Sequence, residues 1–194
     1  MSTEKSILKE IFKEIPFKLK EIPEIQNKFK KLHFKKGDII LKVGDTVCDQ
    51  HYVFDGCLRA YFIDSIGKEH TLQFAIKDWW ISDYTAFFSS TKAIMNIECL
   101  QDAILYRISK IDMELLFKEK GVLETFFRKK MENGFAAFQK RIISNLSQSA
   151  KEKYTSFLDA YPEIEQNIKN YHIASYLGIT TESLSRIRKE ITLE

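Results

Sequence analysis

The chain has 194 residues, 44% of them hydrophobic and 29% charged, with a formal net charge of +3. That length supports one large domain or two small ones with a buried core, and the composition excludes a disordered chain. No apolar run approaches the roughly 18–20 residues of a membrane span, and the Lys- and Glu-rich start lacks the apolar core of a signal peptide, so a cytoplasmic protein with no membrane partner is expected.

From about residue 4 to residue 32 the chain reads as helical. Ile7, Leu8, Ile11 and Phe12 recur at helical spacing, and a second short segment follows Pro23. From Lys31 to Ser109 the reading changes to strands and turns. Gly37-Asp38, Gly44-Asp45, Asp55-Gly56 and Ile66-Gly67-Lys68 punctuate short runs such as 38–41 and 57–62, and 104–108 closes the region. Short strands at spacings of about 8–12 residues are the mark of a sandwich or barrel. Within the region, Trp79, Trp80, Tyr84, Phe87 and Phe88 form an aromatic group that reads chiefly as core, with a pocket wall as the other reading.

Cys48, Cys57 and Cys99 have no C-x-x-C spacing and are expected as buried or half-buried free thiols. No histidine pair has the i, i+4 spacing of a helical metal site, and no nucleophile–base pair, Gly-rich phosphate loop or paired carboxylate stands out. Asp78 and Asp83 are close in sequence, but turns account for both. An enzyme is not expected.

After Ser109 the chain reads as helical throughout. A short helix over 110–118 precedes one long helix from Val122 to about Leu146. On it Leu123, Phe127, Met131, Phe135, Phe138, Ile142 and Leu146 step by three or four residues. A helix of about 25 residues spans roughly 37 Å, more than one small β-domain needs, so the stripe is expected to meet a second copy. Ala150 to Tyr161 forms a further helix that Pro162 ends.

The final segment, His172 to Ile187, has the pattern of a helix-turn-helix. Ala174 is small where two helices cross closely, and Gly178 permits a positive φ in the turn. Ile173, Leu177, Ile179, Leu184 and Ile187 hold the positions that must bury, and Thr180 or Thr181 suits the N-cap of the second helix. That helix would lie in the major groove with Thr181, Glu182, Ser185 and Arg186 toward base edges. Arg188 and Lys189 are placed for phosphates. From Lys151 onward there are six basic residues against seven acidic side chains, which predicts modest affinity with marked salt sensitivity.

Together these features resemble the Crp/Fnr family of bacterial regulators from about Lys31 to the end, most closely at Lys36-Gly37-Asp38, Val43-Gly44-Asp45, Phe54-Asp55-Gly56 and the terminal motif. The resemblance implies an α+β protein: an N-terminal β jelly roll with flanking helices, a long dimerisation helix and a C-terminal helical helix-turn-helix domain. Its divisions would be a sensor domain over 1–118, the dimerisation helix over 119–146 and a DNA-binding domain over 147–194. Only Ile191 to Glu194 follow Glu190, so the family's wing is expected to be reduced or absent. The partners implied are a double-stranded DNA operator, a second copy of the chain and RNA polymerase.

In family members that bind cyclic AMP, a Gly-Glu-Leu turn supplies a glutamate for the ribose. About ten residues later an Arg-Ser/Thr-Ala sequence supplies the phosphate arginine, helped by nearby backbone amides. Here the first position reads Ser82-Asp83-Tyr84 and the second Ala93-Ile94-Met95, with Lys92 adjacent. Lys92 lacks the bidentate fork that suits a phosphate. A pocket of Trp80, Ser82, Asp83, Tyr84, Lys92, Ala93 and Ile94 is therefore expected to take no cyclic nucleotide, and no cofactor is expected, though a less charged effector remains compatible. The leading function is a homodimeric, sequence-specific transcription regulator. The alternative is a small-ligand sensor or interaction module whose helix-turn-helix no longer binds DNA.

Overall fold

The structure, a computed structural model, describes residues 7–13, 15–162, 164 and 168–192. Helix α1 (Ile7–Ile11), a 3-10 turn (Leu19–Glu21) and α2 (Ile22–Gln26) lead into the β-region. Its strands are β1 (Lys30–Phe34), β2 (Ile39–Leu41), β3 (Asp49–Asp55), β4 (Leu58–Ile63), β5 (Glu69–Ala75), β6 (Trp80–Ile81), β7 (Asn96–Cys99) and β8 (Ala103–Ser109), with helix α3 (Tyr84–Ser89) between β6 and β7. Then come α4 (Lys110–Glu119), α5 (Gly121–Ser147), α6 (Ala150–Ala160), α7 (Asn170–Leu177) and α8 (Thr181–Thr192). The chain divides into two compact units, Met1–Ala60 with Phe74–Lys130, and Tyr61–Gln73 with Met131–Glu194.

The strands form two four-stranded sheets, in the orders β1-β8-β3-β6 and β2-β7-β4-β5. This is the expected jelly roll. Alternation along the strands sets two cores, because successive side chains point to opposite faces. Val53 and Leu105 point inward with Leu58, Ala60, Ala75, Ile81 and Ile97. Tyr52 and Ile108 point outward and are covered by Leu8, Phe12, Ile25, Leu116, Leu123 and Phe127 from the helices. The helical start is thus a cap over an apolar outer sheet face. Of the helical stretch expected from residue 4, residues 4–6 lie outside the described residues, and β1 takes over at Lys30.

Trp80 lies within ring contact of Phe29, Tyr52 and Phe127 in the outer core, while Phe88 is exposed. The aromatic group is therefore largely core. Cys57 and Cys99 are buried free thiols, whereas Cys48 is exposed, contrary to the expectation for all three. Its neighbours Asp45 and Thr46 are also exposed, so the β2–β3 loop that carries it runs over the surface.

At Gly56 the β3–β4 turn needs φ +96°, and an added Cβ would lie 2.6 Å from the Asp102 carbonyl oxygen and 2.8 Å from Ala103 Cα. Both neighbours are backbone and cannot swing aside. Gly56→Ala is expected to destabilise the roll by about 2–3 kcal/mol, read as a lower urea midpoint, and an unchanged midpoint would contradict this packing.

The long helix runs over 27 residues, and its stripe divides as the burial changes. Leu123 and Phe127 are buried, but Phe135, Phe138, Ile142 and Leu146 are 65%, 51%, 48% and 83% exposed. These four fall within an arc of about 80° at 100° per residue. In the second unit, Tyr154, Phe157 and Tyr161 are buried, as are Ile173, Ala174, Leu177, Leu184 and Ile187 of α7 and α8. The helix-turn-helix positions expected to bury do so, except that Ile179, in the turn, is only half-buried.

Candidate functional site

The terminal helix pair is built from local chemistry. Gly178 caps α7 in the left-handed conformation at φ 68°, and its N–H and that of Ile179 return to α7 carbonyls. Two residues later the Thr180 side chain accepts from the Ser183 N–H at 3.2 Å, which makes Thr180 the N-cap of α8. Leu184 and Ile187 anchor one face of α8, exposed 0% and 3%. The opposite face carries Thr181, Glu182, Ser185, Arg186 and Lys189, which together line one shallow surface concavity.

Within that face, Arg186 is 74% exposed, with Glu190 one turn on at 3.9 Å. Such a loose surface pair contributes little and leaves the guanidinium available. Glu182 bonds its own helix start: Thr181 Oγ1 donates to it at 3.1 Å, and backbone and hydroxyl donors around Thr180 hold its carboxyl below the usual range. Arg188 differs from its neighbours. Its Nε donates to Tyr154 Oη at 3.0 Å, its Nη1 donates to Asn170 Oδ1 at 2.5 Å, and the guanidinium lies 5.7 Å from the Tyr154 ring centre. It clamps α8 to α6 and α7 instead of standing free for a phosphate. Past Glu190, Ile191 and Thr192 continue α8, and Leu193 and Glu194 lie outside the described residues.

The first helix of the pair meets the β4–β5 hairpin. Ser175 Oγ accepts from the Thr71 N–H at 2.9 Å and donates to the Glu69 carbonyl at 3.0 Å. Arg141 of α5 donates to the Leu72 carbonyl and stacks 4.2 Å from the Tyr176 ring centre. Nothing in the period or spacing of residues 61–73 announces this contact, because it depends on backbone groups of a strand edge.

The second candidate region runs from Trp80 to Ile94. Asp83 is fully buried and caps α3, accepting from Ala86 N–H at 3.1 Å through one oxygen and from Ile94 N–H at 2.7 Å through the other. One carboxylate thus closes the 83–94 loop on itself. Ser82 Oγ donates to the Asp49 carbonyl at 2.8 Å, and Tyr84 Oη lies 3.4 Å from Gln50 Oε1. Lys92 is exposed and donates to Thr46 Oγ1 at 2.8 Å, Ala93 is buried, and Trp80 belongs to the outer core. The structure joins Asp83 and Ile94 directly, sets Trp80, Tyr84 and Ala93 in or against the outer core, and leaves Ser82 and Lys92 bonded to Asp49 and Thr46.

These residues do not fit a cyclic nucleotide. Ala93, expected from the sequence at the place of the phosphate arginine, is buried and carries no charge, and the Ile94 amide and both Asp83 oxygens are already engaged. Asp78, as expected, serves a turn: its φ is 71° and its carboxylate takes Tyr52 Oη and Lys13 Nζ. Among the described residues no group of three or more His, Cys, Asp or Glu is arranged to hold a metal, and no helix is long and apolar enough to cross a membrane.

Residues 31–120 match the family model of the cyclic nucleotide-binding domain. FixK2 from Bradyrhizobium japonicum superposes with a TM-score of 0.74 at 14% identity, over 85% of each chain. A Crp/Fnr-family putative transcriptional regulator from Eubacterium rectale gives 0.70 at 21% identity, over 91% of this chain and 84% of that one. This chain has the Crp/Fnr fold. A double mutant of CooA from Carboxydothermus hydrogenoformans extends the likeness to 98% of this chain and 85% of that one, with a TM-score of 0.71 and 16% identity. No curated protein sequence matches.

Proposed function

We propose that the chain is a homodimeric, sequence-specific DNA-binding transcription regulator of the Crp/Fnr type, acting in the cytoplasm without catalysis. The observation that carries this reading is the polar face of α8. Arg186 and Lys189 stand exposed there beside Thr181, Glu182 and Ser185, on a helix whose opposite face is fixed by Leu184 and Ile187. Arg186 is assigned to a base edge and Lys189 to a phosphate. Arg188, although named with them in the sequence, acts inside the domain. The functional division is a sensor over 1–118, a dimerisation helix over 119–146 and a DNA-binding domain over 147–194. RNA polymerase is the further partner proposed.

Titration of a labelled duplex at rising salt tests the DNA half of this reading. Affinity is expected to fall steeply, because each neutralised phosphate releases condensed counterions. Undetectable binding at low salt, or binding indifferent to salt, contradicts it.

The sensor is proposed to work without cyclic nucleotide. Calorimetry with cyclic AMP and cyclic GMP is expected to give no saturable heat, since the Asp83 carboxylate already engages the Ile94 amide and would repel a phosphate brought to it. Micromolar binding of either nucleotide would contradict this.

A further inference from the structure

The roll contains a second region that the nucleotide loop does not explain. On β3 and β8 the inward positions run from apolar to polar toward one end of the roll. Val53 and Leu105 are 0% exposed, and two residues along each strand the same face carries His51 and Arg107, directly opposite each other in register. An arginine at an inward position, its side chain 39% exposed, breaks the apolar run of that sheet face, and such breaks mark function more often than core. Leu32 lies on the same sheet, Ile40, Leu41 and Ile97 on the opposing one, and together they line a half-open cavity of about 400 Å³. That lies within the roughly 300–1,000 Å³ of small-molecule sites.

The electrostatics define the ligand. The ion partner of Arg107 is Asp49, with Nη1 to Oδ2 at 3.5 Å, looser than the roughly 2.7–2.9 Å of a tight charge-assisted bond. Burial pushes the Asp49 carboxyl above its ordinary range, against the pull of Arg107. Burial, reinforced by the Arg107 charge, lowers His51 to about 4, so at neutral pH it is an uncharged imidazole able to donate or accept one hydrogen bond. Asp45 and Asp49 both line the cavity, and they would repel a doubly charged phosphate. A single carboxylate can meet the guanidinium fork through two parallel hydrogen bonds and displace the looser Asp49.

We infer that this half-open cavity of the roll binds a small monocarboxylate with an apolar body, its carboxylate on Arg107 and His51 and its hydrocarbon against Leu32, Ile40, Leu41 and Ile97. This site shares only Ser82 with the 82–94 loop and goes beyond the proposed DNA binding.

Calorimetry and amide NMR on the full chain without DNA test it, with octanoate as the probe and octan-1-ol as the same body without charge. Octanoate is expected to saturate at submillimolar concentration and to shift the amides of Leu32, His51 and Arg107, with octanol at least tenfold weaker. Arg107→Met keeps the bulk and removes the charge, and should bring octanoate down to the level of octanol. Should that variant fail to fold, Leu41→Trp narrows the cavity from the opposing sheet and must weaken octanoate at least tenfold. No saturation at millimolar octanoate, equal binding of octanol, or shifts confined to other regions would overturn the inference. Because DNA is absent throughout, this outcome is independent of whether α8 reads an operator.

Discussion

Arg186→Ala is expected to lower affinity for the preferred duplex by roughly tenfold to a hundredfold while leaving binding to unrelated duplexes nearly unchanged. The size follows from the loss of one bidentate base contact, worth about 1–3 kcal/mol of discrimination. The side chain is 74% exposed and its pair with Glu190 is loose, so its removal should not disturb the fold. Lys189→Ala should act differently, weakening binding to all sequences alike and reducing the salt slope by about one. Arg188→Ala should differ again, because its guanidinium is bonded to Tyr154 and Asn170. It is expected to lower the melting temperature before it changes any sequence preference. Anisotropy titrations on two duplexes, with thermal melts alongside, separate the three. Equal loss of selectivity in all three variants would contradict the assignment.

The second large effect concerns assembly. Phe135, Phe138, Ile142 and Leu146 form an exposed stripe on the second half of α5, of a kind that soluble monomers rarely display. Covering such a stripe contributes about 1.5–3 kcal/mol for each side chain fully buried. Phe138→Asp with Ile142→Asp is therefore expected to weaken self-association at least a hundredfold, read by sedimentation as a shift from dimer to monomer. The helical signal should persist, since neither side chain is buried within its own chain. A wild-type chain that sediments as a monomer at micromolar concentration would contradict the expectation.

Much of this fold was legible from spacing alone. Gly178, the apolar positions of α7 and α8, and the long stripe of α5 carry their own geometry, because helix period and a positive-φ turn are local properties. A sandwich or barrel followed from turn residues and strand lengths, and the jelly roll from the Crp/Fnr resemblance, though its register and the capping role of α1 and α2 did not. Helix α3 was not foreseen: its six residues are held by Asp83 at one end, and Lys110, 20 residues beyond its last cap Ser90, donates to the carbonyls at the other. The candidate site divided in the same way. The exposed face of α8 could be drawn from a helical wheel. The engagement of Arg188 could not, because Tyr154 and Asn170 reach it from other helices. His51 and Arg107 were readable in principle, since Ala103, Leu105 and Arg107 alternate on one strand face, but the signal appears only once β8 is known to be internal.

Selection from a pool of random duplexes at low salt shows whether α8 reads DNA sequence. A near-palindromic sequence whose half-sites lie about one helical turn apart, as two copies related by a twofold axis require, is expected to be enriched, and that enrichment to be lost with Arg186→Ala. Recovery of an unenriched pool, with wild-type and Arg186→Ala chains retaining the same duplexes, would contradict it.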